Sequence, residues 1–312
     1  MSELHLHLDG SMRPSTVLEL YHQQNIIPPC QDVLTMKKYL TADPDAKDLA
    51  EVLRVFNIPL KVLQKKEALK RAAKELVEDL KNQGNKYAEI RFAPQLSTRE
   101  GLTQKEVLDA VICGLKEGLE QNPGIDCRLL LCLMRGGSRE ENMETVNLAH
   151  AYLGNYVVGL DLAGDENHYP CALYEDEFAL ARSFGIPFTI HAGESKSIEN
   201  ISNAIKFGAR RLGHGVTLLQ DKELMHIVKE EGILVECCLT SNLQTKEVLD
   251  IRKHPIRDYF DYGIMVNINS DNTTVSDTNI QKEEALAKRE LGFSDQDIEQ
   301  MEKHALECAF KK

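Results

Sequence analysis

Eight short apolar runs recur along this 312-residue chain, each bounded by turn-forming residues and followed by a segment with helical spacing. Some are continuous, such as residues 129–134, which is typical of parallel strands buried on both faces. The runs lie near residues 4–8, 87–93, 128–134, 157–162, 187–191, 211–214, 233–238 and 264–269. Strands that alternate with helices eight times predict an α/β fold, a (β/α)8 TIM barrel.

Two of the intervening segments show the helical pattern clearly. Residues 67–81 carry apolar side chains four apart, at Ala68, Ala72, Leu76 and Leu80. Residues 103–119 begin with Thr-Gln-Lys-Glu, which resembles a capping box. Both segments are therefore predicted to be helices between strands.

The connection from the first strand to the second is far longer than one crossover helix needs. We expect a helical insertion over residues 11–85 within a single domain that spans residues 1–312. Inside it, residues 50–64 have a helical pattern of apolar side chains that Pro59 interrupts. Two interpretations stay open, namely a helical cap packed on the barrel rim or a hydrophobic lid over its mouth.

Charge and composition exclude several classes of partner. The formal net charge is −12 and no basic patch stands out, which argues against nucleic acid and anionic membranes as partners. No apolar run approaches the roughly 20 residues of a membrane span. The first motif follows the N-terminus at once, so we expect no signal peptide and a cytoplasmic location.

The eight cysteines are scattered and form no Cys-x-x-Cys pair, which suits free thiols in a reducing compartment. Cys132, Cys237 and Cys238 lie inside predicted strands. We expect them to be buried small hydrophobic residues rather than metal ligands or redox groups.

Polar motifs follow five of the predicted strands. They occupy residues 4–9, 161–164, 191–194, 213–215 and 269–272, after strands one, four, five, six and eight. In a TIM barrel, catalytic groups cluster at the C-terminal ends of the strands. Because the strands are identified by apolar content alone, the position of these motifs independently supports the barrel and predicts where its active site lies.

Four of these polar residues form a candidate metal site. His5 and His7 are two apart in a strand and therefore project from the same face. His191 and Asp271 offer two more ligands at the ends of other strands. Catalytic zinc binds histidine nitrogens and carboxylate oxygens and keeps a position open for water. The pattern predicts a Zn²⁺-dependent hydrolase.

The end of the fourth strand indicates one zinc ion per chain. Two-metal barrels of this type generally bridge their ions with a modified lysine late in that strand. Here the strand ends Asp-Leu-Ala-Gly at 161–164, without a lysine. Gly164 also leaves its backbone groups open to close approach by a ligand.

Glu194 and His214 are candidates for acid–base chemistry. Glu194 could simply begin the next helix, where an acidic residue is favourable. Beside a metal and shielded by a lid, it could instead be held protonated and donate to the substrate. His214 lies between two glycines at a strand end, and could accept a proton from the attacking water or orient the hydroxide.

The motifs resemble those of the adenosine deaminase family, within the amidohydrolase barrels, in order and spacing over nearly the whole chain. The most specific are His-Leu-His-Leu-Asp-Gly-Ser at 5–11, Asp-Leu-Ala-Gly-Asp-Glu at 161–166, His-Ala-Gly-Glu at 191–194, Gly-His-Gly at 213–215 and Thr-Ser-Asn-Leu-Gln-Thr at 240–245. The resemblance implies that adenosine and 2′-deoxyadenosine lose ammonia from C6, giving inosine and deoxyinosine.

The resemblance also implies a role for each matching residue. One zinc ion would be held by His5, His7, His191 and Asp271. Asp271 would also take part in catalysis, and His7 would also face the substrate. Glu194 would protonate N1 of the purine, and His214 would assist the attacking hydroxide.

Four further assignments follow from the same resemblance. Gly164 would meet purine N3 through its backbone, and Asp9 would hold the ribose 5′-hydroxyl. Glu236 would be the carboxylate that orients His214. Residues 54–64 would form a hydrophobic gate to the site.

Two positions depart from the family pattern. The residue after the metal-binding aspartate is usually a second Asp that contacts N7, and here it is Asn272. The Cys-Pro that precedes Thr-Ser-Asn in many members is Cys238-Leu239 here. The first departure bears on substrate choice and rate.

Several other functions compete with adenosine deamination. Another 6-aminopurine or 6-substituted purine nucleoside is the nearest alternative, and a nucleotide is disfavoured because Asp9 would repel a 5′-phosphate. A catalytically silent paralogue that binds purine or metal is disfavoured by intact Glu194 and His214. The His-x-Glu and Pro-Cys-x-x-Cys motifs of the other zinc deaminases do not occur. The oligomeric state stays open, and a monomer is compatible with the sequence.

Overall fold

Eight parallel strands form the closed barrel that the sequence predicts, as seen in a computed structural model that describes residues 1–195 and 197–311. The strands pair in chain order within two sheets, β1 to β4 and β5 to β8. Single parallel bridges, Leu160 to Phe188 and Leu6 to Asp271, connect the two sheets at both edges. The strands are β1 Ser2–His7, β2 Tyr87–Phe92, β3 Asp126–Met134, β4 Val157–Ala163, β5 Thr189–Ala192, β6 Arg211–His214, β7 Leu234–Cys237 and β8 Val266–Ile268.

The predicted strand positions are confirmed, and the differences lie at the ends. Strand β5 starts at Thr189 rather than at residue 187, because Pro187 has no N–H to donate to a sheet ladder. Pro187 still accepts a hydrogen bond from the Leu160 amide through its carbonyl, at 3.1 Å. Strands β2, β4, β5 and β6 are buried along their whole length, as expected for parallel strands that are covered on both faces.

Helices cover the outside of the barrel and fill the long first connection. The described α-helices are α1 Pro14–Gln23, α2 Val33–Leu40, α3 Leu49–Leu53, α4 Asn57–Val62, α5 Lys66–Asn82, α6 Gln104–Gln121, α7 Arg139–Tyr152, α8 Glu175–Ser183, α9 Ile198–Phe207, α10 Lys222–Glu230, α11 Leu239–Gln244, α12 Ile256–Tyr262, α13 Ile280–Leu291 and α14 Asp295–Cys308. The capping box predicted at Thr103 and Glu106 is present and starts α6. Helix α5 buries the predicted apolar stripe and packs against α6.

The apolar segment at residues 50–64 is not one helix. It forms α3, the short 3-10 helix Arg54–Phe56 and α4, joined end to end. Pro59 lies in the first turn of α4, where its missing N–H leaves no helical bond unmade. Pro59 therefore lies at the start of a new helix. The helical spacing of apolar side chains continues across residues 50–64 even though the helix itself is interrupted.

Two further features of the sequence were the cysteines in predicted strands and the lack of a long apolar run. Cys132, Cys237 and Cys238 are buried free thiols, as predicted. Within residues 1–195 and 197–311, no helix is both long enough and apolar enough to cross a bilayer.

Candidate metal centre and active-site cavity

A cavity of about 310 Å³ opens at the C-terminal ends of the strands. Eight of the predicted site residues line it, namely His7, Asp9, Gly164, His191, Glu194, His214, Asp271 and Asn272, whereas His5 and Glu236 do not. His5 is fully buried directly behind Asp271, with its Nε2 3.3 Å from Asp271 Oδ1. The structure thus brings together His5 and Asp271 from opposite ends of the chain, since barrel closure places β8 beside β1.

Imidazole nitrogens and a carboxylate oxygen converge at one point in this cavity. His7 Nε2 lies 3.3 Å from His191 Nε2 and 3.4 Å from Asp271 Oδ1. One ligand atom each from His5, His191, His214 and Asp271 also lie within 4.8 Å of one another. The four predicted ligands therefore meet, and His214 is close enough to be a fifth candidate.

The protonation of these rings fits a metal ion. His5 Nδ1 lies 2.8 Å from Glu236 Oε2 and His191 Nδ1 lies 2.9 Å from Asp161 Oδ2, so each Nδ1 carries the proton and each Nε2 has a free lone pair. His5 Nε2 is buried and has no hydrogen-bond partner among residues 1–195 and 197–311. With no proton between them, the lone pair of His5 Nε2 and the Asp271 carboxylate oxygen repel one another. A cation bound by both would remove that repulsion. This is a metal site.

Two site residues have a strained backbone. His214 and Asp271 have φ values of 64° and 61°, in the left-handed region that side chains other than glycine rarely occupy. Such a conformation costs on the order of 1–3 kcal/mol and is found mainly at functional sites. Both residues lie where a strand ends, so the turn redirects each side chain into the cavity.

A buried arginine joins the carboxylates that hold the two metal-facing histidines. Arg91 on β2 donates from Nη1 to Asp161 Oδ2 at 2.8 Å and from Nη2 to Glu236 Oε2 at 2.9 Å. Burial disfavours the ionised form of Glu236, but Arg91 and Arg211 outweigh it and hold the pKa of Glu236 well below its usual range. Arg91 was not predicted as a site residue, because a single charged residue inside a predicted strand carries no local sign of its partners.

The predicted role of Glu236 is wrong. The resemblance assigned it to His214, but its carboxylate hydrogen-bonds His5. The same Glu236 oxygen, Oε2, also accepts from Arg91, and both Glu236 and His5 are fully buried. The Nδ1 atom of His214 instead lies 3.1 Å from Nδ2 of Asn242 on α11.

Loss of Arg91 should destabilise the fold strongly. In Arg91→Met, the carboxylates of Asp161 and Glu236 would stay buried without their counter-charge, which costs about 3–5 kcal/mol of unfolding free energy. Arg139→Met is the matched control, because the Arg139–Asp176 pair is exposed and should contribute roughly 0–1 kcal/mol. Urea unfolding of the metal-loaded protein measures both, and equal effects in the two variants would contradict this view of Arg91.

Glu194 occupies an environment that favours its neutral form. It is buried in the cavity wall, with Oε1 3.6 Å from His214 Nε2. Burial, and then the charges of Asp271 and Glu166, raise the pKa of Glu194 well above its usual value. A carboxylic acid held protonated at neutral pH can donate a proton to a ligand.

Glu166 holds the loop that presents Glu194. Its carboxylate accepts hydrogen bonds from the backbone amides of Gly193 at 2.7 Å and Ser195 at 2.9 Å, the residues on either side of Glu194. The side chain is itself buried. Glu166 belongs to the quoted motif at 161–166, so the sequence signal was present, but its function was not predicted.

Asn272 lies in the cavity wall against Gly10. Its Oδ1 is buried without a hydrogen-bond partner in the part of the chain that the structure describes. A Cβ atom at residue 10 would come within 1.8 Å of this oxygen, so only glycine leaves room for the amide. The amide is therefore packed on one side and unpaired at its oxygen.

Asp9 and Gly164 both line the cavity. Burial raises the pKa of Asp9 to about 6, although a hydrogen bond from the Gly10 amide at 3.1 Å opposes the shift. Gly164 has φ of 106°, and a side chain there would also press on Arg135. Its backbone is therefore accessible from the cavity only because the residue is glycine.

The remaining wall of the cavity is apolar and comes largely from the first connection. The side chains that α3, the 3-10 helix Arg54–Phe56 and α4 contribute are Leu49, Val52, Leu53, Phe56, Asn57 and Leu60. Leu96 and Met134 extend the same surface. Polar metal-facing groups on one side and an apolar wall on the other suit a flat heteroaromatic ligand with one polar edge.

The sequence model described as Adenosine deaminase matches residues 1–312. The chain belongs to the adenosine deaminase family. It is 38% identical over 310 residues to the adenosine deaminase of Clostridium kluyveri, covering 99% of this chain and 89% of that protein. It is 40% identical over 308 residues to that of Enterococcus faecalis, covering 99% and 91%.

A solved structure adds a relative with a different substrate in its name. The apo N6-methyl-AMP deaminase of Arabidopsis thaliana has a TM-score of 0.87 and 29% sequence identity to this chain. The match covers 99% of this chain and 91% of that one. The family and the barrel predicted from the sequence are confirmed. The cluster of histidines and an aspartate indicates a metal site, and the identity of its ligands stays a prediction.

Proposed function

We propose that this protein catalyses the hydrolytic deamination of adenosine and 2′-deoxyadenosine, with one zinc ion per chain. The observation that carries the proposal is the juxtaposition of a proton-retaining carboxyl, Glu194, with the histidine and aspartate cluster in one small cavity. The names of the relatives from C. kluyveri and E. faecalis agree with it.

The ligands would be His5, His7, His191 and Asp271. Zinc bound there would lower the pKa of a coordinated water to roughly 7, which supplies a nucleophile at neutral pH. Three imidazoles and one carboxylate are the donor types that zinc takes in catalytic sites. Burial lowers the pKa of His7 and of His191, which favours the neutral rings that can bind a cation.

Glu194 would donate its proton to N1 of the purine. Protonation at N1 draws electron density from C6, where water adds and from which ammonia leaves. His214 would orient the attacking water through Nε2, which faces Glu194. Asp271 would take part from the opposite side, where its carboxylate lies between His5 and His7.

The substrate would lie between the metal cluster and the apolar wall. Gly164 would donate its backbone N–H to N3, and Asp9 would hold the 5′-hydroxyl of the ribose. The segment from Leu49 to Leu60, within the insertion at 11–85, would act as a lid that excludes water from the site. A single domain over 1–312 and a cytoplasmic location stay predictions, and the oligomeric state stays open.

A second candidate is deamination of a 6-substituted purine nucleotide. The likeness to an N6-methyl-AMP deaminase favours it, because the two chains share the fold over nearly their whole length. Asp9 argues the other way, since its carboxylate at the expected 5′ position would repel a phosphate. The two candidates differ in whether a 5′-phosphate helps or hinders turnover.

An absorbance assay across purines tests the proposal, with metal analysis of the same sample. The panel is adenosine, 2′-deoxyadenosine, adenine, AMP and N6-methyl-AMP. We expect the two nucleosides to be turned over and AMP to be much slower. Faster turnover of N6-methyl-AMP than of adenosine would replace the proposal by the second candidate, and no turnover of any compound by zinc-loaded protein would favour a silent paralogue.

Asn272→Asp should raise adenosine deamination. Purine N7 is an acceptor, and an Asn amide can donate to it at any pH. Asn272 does not titrate, however, so the number of protons that residues 271 and 272 can hold differs from that of two adjacent aspartates. A mismatched hydrogen bond of about 1.5–3 kcal/mol, the range for a bond that involves a charged group, corresponds to roughly one to two powers of ten in kcat/KM. Steady-state kinetics of both forms measure this. A fully active wild type with a slower Asp variant would show that the position is adapted to Asn.

A further inference from the structure

A buried row of side chains connects His214 to a backbone amide at the start of α12. The Ile256 amide donates to His254 Nδ1 at 3.2 Å. His254 Nε2 lies 3.1 Å from Asn242 Oδ1, and Asn242 Nδ2 lies 3.1 Å from His214 Nδ1. The three side chains are at most 1% exposed. Water therefore has little access to this row, and each polar atom in it depends on the neighbouring side chain for its hydrogen bond.

The backbone amide sets the direction of every hydrogen bond in the row. A backbone N–H can only donate, so His254 Nδ1 must accept and a neutral His254 carries its single proton on Nε2. Burial lowers the pKa of His254 to about 3, which keeps the ring neutral. His254 Nε2–H then donates to Asn242 Oδ1, which turns the amide so that its NH₂ group donates to His214 Nδ1.

We propose that Asn242 and His254 are positioning residues that hold His214 in the tautomer with its proton on Nε2. Because Nδ1 of His214 accepts from Asn242, a neutral ring has its proton on the atom that faces the cavity and lies 3.6 Å from Glu194 Oε1. His214 then acts as a hydrogen-bond donor to the oxygen of the attacking water and has no lone pair at Nε2 for a metal. This role rests on the proposed function.

The same rule separates His214 from the two histidines beside it. His5 and His191 have carboxylates, Glu236 and Asp161, behind Nδ1, and a carboxylate can only accept. Those rings therefore keep a lone pair on the Nε2 that faces the cluster. An amide NH₂ behind His214 produces the opposite tautomer. The ring centroids of His5, His191 and His214 lie within 5.1 Å of one another. The groups that hydrogen-bond each Nδ1 thus give these neighbouring imidazoles different roles.

Asn242→Asp reverses this one hydrogen bond with little change in shape. The new carboxylate still accepts from His254 Nε2–H, but it also accepts from His214 Nδ1–H, so the proton of His214 moves from Nε2 to Nδ1. Nitrogen-15 NMR of the histidine rings in zinc-loaded protein reads the tautomer directly, with His214 assigned by comparison with His214→Gln. We expect the proton on Nε2 in the wild type and on Nδ1 in the variant.

Activity and a rescue pair give the second measurement. Loss of a donor aimed at the reacting oxygen should lower kcat of Asn242→Asp by about 100-fold, with KM changed much less. His254→Ala frees the Asn242 amide and should also lower kcat, whereas His254→Gln keeps a donor toward Asn242 and should restore most of it. Thermal unfolding of each variant separates loss of fold from loss of the tautomer.

The outcomes are distinct from those of the proposed function. A wild-type His214 with its proton on Nδ1, or an Asn242→Asp variant with unchanged tautomer and kcat, would overturn the positioning role. If no purine is turned over while the NMR tautomers are as expected, the proposed function fails and the positioning of His214 stands.

Discussion

Glu194→Gln is expected to lower kcat by about 100- to 10,000-fold while metal and substrate binding stay close to wild type. The amide has nearly the same shape as the carboxyl, but it cannot supply a proton to the purine. Burial and nearby negative charge raise the pKa of the wild-type carboxyl and favour its neutral form, so the neutral amide should perturb the electrostatics of the cavity little. Metal content, ligand affinity and kcat measured on one preparation check the three parts of this expectation.

Glu199→Gln provides the matched control for Glu194→Gln. Glu199 lies exposed in the first turn of α9, outside the cavity wall, and its replacement should leave kcat unchanged. A kcat for Glu194→Gln within a few fold of the control would rule out Glu194 as the acid. A loss of metal from Glu194→Gln would instead show that the carboxyl is part of the metal site.

His7→Ala and His214→Ala should separate metal binding from catalysis. His7 Nε2 faces both His191 and Asp271, so its removal should weaken metal binding by more than about 100-fold, the upper end of the loss caused by removing an outer partner of a ligand. His214→Ala should keep one metal ion per chain and lose turnover. Elemental analysis after dialysis against a chelator, together with kcat, distinguishes the two variants.

The reverse result has an equally clear meaning. Metal lost from His214→Ala and kept by His7→Ala would make the ligand set His5, His191, His214 and Asp271, whose ligand atoms also lie within 4.8 Å of one another. Two metal ions per chain at full occupancy in the wild type would refute a single-metal site. Activity removed by the chelator should return when zinc is added back.

The active-site cluster could be predicted because each part of it is a local pattern placed at a strand end. His5 and His7 share a face through the two-residue period of a strand, and the motifs at 191–194 and 213–215 follow short buried runs. Barrel geometry then brings strand ends together without any information on individual contacts. The insertion was visible for the same reason, as excess length between two strands.

The partners behind the cluster could not be predicted in this way. Glu236 was assigned to His214 and contacts His5, and Asn242 was quoted within a motif without a function. Which carboxylate or amide reaches which imidazole depends on depth in the barrel and on the turn at the strand end. Sequence spacing does not encode either quantity.

The sequence by itself determined the barrel, its closed order of strands and the set of residues that meet at its rim, because strand period and apolar content suffice for these. Only the tertiary structure decided which nitrogen of each histidine faces the cavity with a lone pair or a proton. That choice depends on single hydrogen bonds between residues far apart in the chain, such as His5 to Glu236 and His254 to Asn242. The tautomer of a histidine is a property of the neighbour behind it, and the fold selects that neighbour.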